Sequence, residues 1–394
     1  MKLNYQILFL SLSILFKPGE QYGMYDWLVK SVIVDQINYY SFIIFISIFV
    51  LIFISNVIFL LMNNKKILKI NKLNFVGFLL FYIGVNIVTI NQDDYLTNII
   101  RILALLSVYF ALNCIISKTN SYIQKYNMIF SILFSIIIYN ILTLIIYLID
   151  PSSVSGGEIV GNRMFGFTDH PNFFGLISAI GLSISIYLIT KSLKKALLFQ
   201  NNWTRLTIIL SIPMNAWTLF MSGSRTALLF FIIATLINSI KLNYKVFLST
   251  IILLSSAAFI YIQFFTEPDM LPRIFSLTNN RTFAWNEMLN IFYENPLFGV
   301  GFQSVGYSEN SYLWLLSGSG LIGFILFTIF LSIFFIHIKK YRFGFEFFAP
   351  IFICALFEGY LIDSFTLPTL LILFLYSVNN HNLLNNTHTF EKIS

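Results

Sequence analysis

The sequence predicts an all-α, polytopic integral membrane protein with about twelve transmembrane helices, and three observations carry that prediction. Of 394 residues, 57% are hydrophobic and 10% charged, with a mean hydropathy of +0.80. A soluble domain averages about 25% charged residues, so this pool cannot clothe a water-exposed surface. Apolar runs recur along the whole length, which excludes a single anchor on a soluble domain. Lysines, finally, gather in alternate gaps between the runs. The chain reads as one multi-spanning domain over residues 1–394.

A helix crossing roughly 30 Å of hydrocarbon needs about 20 apolar residues. Spans are expected near 3–16, 37–62, 73–90, 95–117, 127–149, 173–190, 206–221, 226–240, 246–265, 311–338, 345–364 and 366–379, the first and last being short. The first resembles a signal-peptide core, but no small-residue cleavage site follows "LSILFKPGEQYG", so an uncleaved span is expected. With both termini cytoplasmic, the inner gaps hold Lys65, Lys66, Lys69, Lys72, Lys118, Lys125, Lys191, Lys194, Lys195, Lys241, Lys245, Lys339 and Lys340. Adding Lys2 and Lys392 places all but Lys17 and Lys30 inside, as the positive-inside rule requires. The net charge of +7 is thereby read as topology, and no nucleic-acid partner is expected. Cys114 and Cys354 lie inside apolar runs and read as small buried hydrophobes. No C-x-x-C or H-E-x-x-H pattern occurs, so neither a metal nor another cofactor is expected.

Arginine departs from the lysine pattern. Arg163, Arg225, Arg273 and Arg281 fall on the outer side, while Arg205 and Arg342 are inside and Arg101 sits in a span. The forked guanidinium suits bidentate contact with phosphate or carboxylate oxygens. One reading pairs each arginine with a nearby outer acid, such as Arg163 with Asp169 or Arg273 with Asp269. The other gathers the four around an anionic ligand, and four on one face favour it.

Two outer segments exceed ordinary connecting length. Residues 150–172, "DPSSVSGGEIVGNRMFGFTDHPN", are irregular, with Pro171 suited to the first turn of the next helix. Residues 266–310 form the largest expected loop; within it Ala284, Met288, Ile291 and Phe292 recur at helical spacing from Arg281 to Glu294. That predicts a short amphipathic helix on the membrane surface, ended by Asn295 and Pro296. The tip "SGSR" of a third, short outer segment ends at Arg225.

These segments together resemble the O-antigen ligase and polymerase superfamily. "NRMFGFTDHPNFFG" is similar to its Arg-x-x-Gly…Pro-Asn element and "SGSRTALL" to its Ser-Arg-Thr hairpin. "RTFAWNEMLNIFYENPLFGVGFQSV" is similar to its Arg…Trp…Asn-Pro-x-x-Gly-x-Gly run, and "SENSYLWLLSGSGLIG" to its Asn-x-Tyr-Leu…Gly-x-x-Gly helix entry. The four follow one another across residues 163–323; the N-terminal spans match in hydrophobicity alone. Ligases of the superfamily typically carry a histidine just before the Asn of the Asn-x-Tyr-Leu element, where this chain has Glu309, which favours the polymerase branch.

The resemblance implies a GT-C-like glycosyltransferase of the bacterial cytoplasmic membrane, its site facing the periplasm or exterior. It would transfer an undecaprenyl-diphosphate-linked glycan onto a lipid-linked repeat unit, building O-antigen, capsule or exopolysaccharide. Its partners would be those lipid-linked units, the bilayer and a chain-length regulator. Arg163, Arg225, Arg281 and Arg273 would hold the diphosphate and stabilise the charge on the leaving oxygen. Glu309 is the first candidate base, with Asp169 and His170 as a second pair. Glu309 also suits a second reading, a carboxylate favoured by a helix N-terminus. Asn310 and Tyr312 are candidate glycan contacts, and Asn172 reads either as a glycan contact or as a helix-end residue. Transfer to another acceptor, and transport of lipid-linked sugars, are the alternatives. Transporters tend to place ionisable groups near the bilayer midplane in broken spans. The spans here carry few, Arg101, Glu358 and Asp363, and the charge is concentrated at the outer face, which weighs against transport.

Overall fold

The computed structural model describes residues 3–16, 95–117, 122–155, 163–168, 170–194, 202–242, 281–305, 309–341, 345–361 and 366–380, with scattered positions between 34 and 84. The described chain is built of helices, with an isolated bridge between Ser155 and Met164 as its one extended pairing. The elements are α1 (Leu3–Leu15), α2 (Tyr95–Ser117), α3 (Tyr122–Ile149), α4 (Pro171–Lys194), α5 (Asn202–Ser222) and α6 (Arg225–Leu242). They continue as α7 (Arg281–Glu294), α8 (Phe302–Val305), α9 (Ser311–Tyr341), α10 (Phe345–Cys354) and α11 (Leu367–Asn380). Among the described residues, Tyr126–Ile149, Pro171–Thr190 and Ser311–Phe335 are long and apolar enough to cross a bilayer. These apolar helices mark a membrane protein. The expected span 246–265 lies outside the described residues, and 37–62 and 73–90 are described only at scattered positions.

Helix α4 is the packing centre of the site-bearing half, meeting α3, α5, α6 and, through Tyr187 and Phe347, α10. Its small residues let backbones approach closely, as helix association in lipid requires. A Cβ at Gly181 would lie 2.6 Å from Asn215 Oδ1, and one at Gly175 2.4 Å from Ser222 Oγ. Buried polar side chains join these helices: Asn140 Nδ2 donates to Asn215 Oδ1 at 2.8 Å, and the hydroxyls of Ser185 and Ser211 meet at 2.7 Å. Helices α4 and α5 thus run antiparallel, with the start of α4 beside the end of α5.

Helix α9 is interrupted. Gly320 adopts φ +63°, a conformation an L side chain resists, and the kink frees backbone groups on both sides of it. The segment after α7 takes them up. Val300 N and Gly301 N donate to the carbonyls of Ser317 and Gly318 at 3.0 and 2.9 Å. Leu321 N and Ile322 N donate to the carbonyls of Pro296 and Leu297 at 2.8 and 3.2 Å. The Asn-Pro-x-x-Gly-x-Gly stretch is therefore a docked strap that fixes α7 to α9. Met288 of α7 is buried there, accepting from Ser317 Oγ through its sulfur at 3.5 Å.

One span expectation needs correction. Residues 345–364 were expected to form a single helix; α10 is only 10 residues long and stops at Cys354. The cause is a substitute set of backbone partners. Ser311 N donates to Ala355 O at 2.9 Å, and Ser311 Oγ donates to Glu358 O at 2.5 Å while accepting from the amides of Tyr360 and Leu361 at 3.1 and 3.3 Å. With its polar groups satisfied by the start of α9, the segment can remain unwound inside protein.

Candidate functional site

The unwound segment exists to deliver one side chain. Glu358 is 2% exposed. Its Oε1 accepts from Asn172 Nδ2 at 2.8 Å, from Thr226 Oγ1 at 3.1 Å and from Arg281 Nη2 at 3.3 Å. Asn172 is the second residue of α4, Thr226 the second of α6 and Arg281 the first of α7, while Ser311, which holds the Glu358 carbonyl, begins α9. Four helix N-termini converge on this residue. Each carries partial positive charge, so together with the guanidinium they offset the cost of burying a carboxylate.

Arg163 enters from the loop before α4. Its Nε donates to Ser222 O and its Nη2 to Asn172 Oδ1, both at 2.7 Å. Gly223 shapes the approach: at φ +59° it turns the chain between α5 and α6, and a Cβ there would come 3.2 Å from Arg163 Nε. Ser224 Oγ then accepts from Ala227 N at 3.2 Å, capping α6. The loop itself is not a solvent tether. Met164, Phe165 and Phe167 are buried, Met164 N donates to Met221 O at 2.9 Å, and Phe167 N donates to the Tyr139 hydroxyl at 3.1 Å.

On the other side, Arg281 Nε donates to Glu309 Oε2 at 2.7 Å, and its guanidinium carbon stands 5.7 Å from the centre of the Phe357 ring. The result is one continuous chain of contacts: Arg163, Asn172, Glu358, Arg281, Glu309. Burial falls along its second half, from 2% side-chain exposure at Glu358 through 13% at Arg281 to 24% at Glu309.

Of the residues singled out from sequence, the structure brings Arg163, Asn172, Arg281 and Glu309 together. Arg225 is the partly exposed first residue of α6, next to Thr226. Asn172 stands in the first turn of α4, as its helix-end reading has it, and its amide bridges Arg163 and Glu358. His170 Nδ1 accepts from Asn172 N at 3.0 Å and so caps α4; that ring nitrogen carries no proton in this arrangement. Asn310 Oδ1 caps α9 through the amides of Tyr312 and Leu313 at 2.9 and 3.1 Å, and the Tyr312 hydroxyl donates to Phe352 O at 2.6 Å. Arg273 and Asp169 lie outside the described residues.

Sequence reasoning noticed Glu358 only as one of the few ionisable groups within a span. That was the available signal: a charge in an apolar run is by default a functional-site residue. Thr226 and Ser311 lie inside the stretches that resemble the superfamily, but neither was singled out from the sequence. No protein-family model matches the chain, and no curated protein matches it.

Proposed function

We propose that the chain is a polysaccharide polymerase of the cytoplasmic membrane, a glycosyltransferase using a polyprenyl-diphosphate-linked donor. The observation that carries this reading is the contact chain from Arg163 to Glu309, which joins all four stretches resembling the O-antigen ligase and polymerase superfamily at one end of the helix bundle. Lysine distribution gives that end the outward orientation.

In this reading the donor diphosphate binds beside Arg281 and Arg225, with Arg163 tying its own segment to the end of α5 and to Asn172. The hydroxyl of an acceptor repeat unit attacks the donor's anomeric carbon and forms the new glycosidic C–O bond. The bond from that carbon to the diphosphate oxygen breaks, and undecaprenyl diphosphate leaves with its charge stabilised by the guanidinium groups. Glu309 takes the hydroxyl proton. In the same reading Asn310 and Tyr312, which shape the start of α9 beside Glu309, contact the sugar.

The purified full-length protein, given only lipid-linked repeat units in nanodiscs, is expected to make a ladder of glycan lengths. Absence of a ladder, with transfer appearing once a second acceptor is added, selects ligation instead. One observation favours transport as a second reading: Glu358 is a buried carboxylate on a broken helix, as carriers use. It lies among helix N-termini at one end of the bundle and not midway along the helices, which weighs against that reading. Movement of a fluorescent lipid-linked sugar across proteoliposomes without polymer formation would establish it.

A further inference from the structure

Arg281 divides its guanidinium between two acids that differ in how firmly they are held. Glu358 is 2% exposed, receives three donors on one oxygen and sits among four helix N-termini. Releasing it would strip a buried charge of its partners, at high cost. Glu309 is 24% exposed, precedes the Asn310 cap and meets Arg281 Nε through a single oxygen at 2.7 Å. A partly exposed ion pair of this kind is worth little and exchanges readily. The Nε–Nη2 edge of an arginine is also the edge that takes a phosphate group in two parallel bonds.

Resting on the reading above, we infer that Glu309 and the donor's diphosphate are alternative ligands of Arg281, with Glu358 the ligand that stays. In the resting protein Glu309 Oε2 is occupied by the guanidinium and is not open to an incoming hydroxyl. A diphosphate arriving at Arg281 takes the Nε position and displaces Glu309, whose carboxylate is then released into the site. Donor binding thereby uncovers the base. The order of events is imposed by geometry: the donor seats first, and only afterwards is the acceptor hydroxyl deprotonated.

The full-length protein in nanodiscs is titrated with undecaprenyl diphosphate and, separately, with inorganic pyrophosphate. Glu309→Gln removes the competitor and is expected to bind undecaprenyl diphosphate about two- to fivefold more tightly than wild type, while forming no polymer. Glu287→Gln, the same charge change at an exposed position on α7, is expected to bind as wild type does. Glu309→Asp keeps the charge with a shorter reach and should fall between the two; it carries the test alone if Glu309→Gln does not purify as a monodisperse protein. Wild-type or weaker affinity in the Glu309 variants overturns the exchange and leaves the diphosphate reading standing. An equal gain from Glu287→Gln also overturns it, because bulk charge then accounts for the effect. If neither wild type nor Glu309→Gln binds either probe, the diphosphate reading fails and the exchange fails with it.

Discussion

The two carboxylates on Arg281 resemble each other chemically and differ in almost everything else. Glu358 lies 2% exposed in a non-helical segment whose backbone is satisfied by another helix, and three donors from three helices fix its oxygen. Glu309 lies 24% exposed beside a helix start and has one guanidinium nitrogen to hold it. The inner carboxylate is held from several sides and the outer one from one. The proposed exchange rests on that difference, with one acid fixing the arginine and the other moving.

The sharpest way to break this comparison is to remove each acid in turn. Glu358→Ala leaves Arg281, Asn172 and Thr226 without their common acceptor and is expected to destabilise the protein by about 3–5 kcal/mol. Glu309→Ala should change stability by less than about 1 kcal/mol while abolishing polymer. Thermal unfolding in detergent measures both, and equal losses would mean that the two acids are not different in kind. Next in size is Asn172→Ala, which leaves Arg163 Nη2 and Glu358 Oε1 each one bond short, a loss of roughly 1–3 kcal/mol. An unchanged melting temperature would show that the inner contacts are not a network. Thr226→Val keeps the shape and removes one donor at 3.1 Å, for about 0.5–1.5 kcal/mol and a modest fall in polymer yield.

The smallest effect is expected outside the comparison, at the head of the first long loop. The hydroxyls of Ser152 and Ser153 hydrogen-bond to Asp150 and hold its carboxyl below the usual carboxylate range. A depressed value means that the cap favours the folded turn above the unfolded pKa and loses that contribution as pH falls through the folded one. The protection of the amides of residues 152–155, taken relative to their intrinsic exchange rate at each pH, should therefore fall on acidification in wild type and show no such pH step in Asp150→Asn.

Several elements were legible from local pattern. The apolar period through Ala284, Met288, Ile291 and Phe292, stopped by Asn295 and Pro296, gave α7 with its observed bounds at Arg281 and Glu294. The apolar runs at 173–190, 206–221, 226–240 and 311–338 are helical, as α4, α5, α6 and α9, each extended by a few residues into polar flanks. The end of α10 was not legible. Hydropathy registers side-chain composition, and residues 355–361 are apolar enough to pass as helix; whether they wind depends on Ser311, far away in the chain. His170 and Asn310 show a further case. Residue type alone did not reveal that His170 Nδ1 and Asn310 Oδ1 accept from backbone amides and cap the helices beside them.

By itself, the sequence determined which stretches are apolar and helical and which polar residues fall between them, because those properties act over a few neighbouring positions. Tertiary structure alone decided which of those polar residues meet. Arg163 reaches Ser222 across 59 positions, Arg281 reaches Glu358 across 77 and Asn172 reaches Glu358 across 186. Only the packing of α4, α6, α7 and α9 with their N-termini at one point could make a buried glutamate tolerable there, since the charges that stabilise it come from four separate helices.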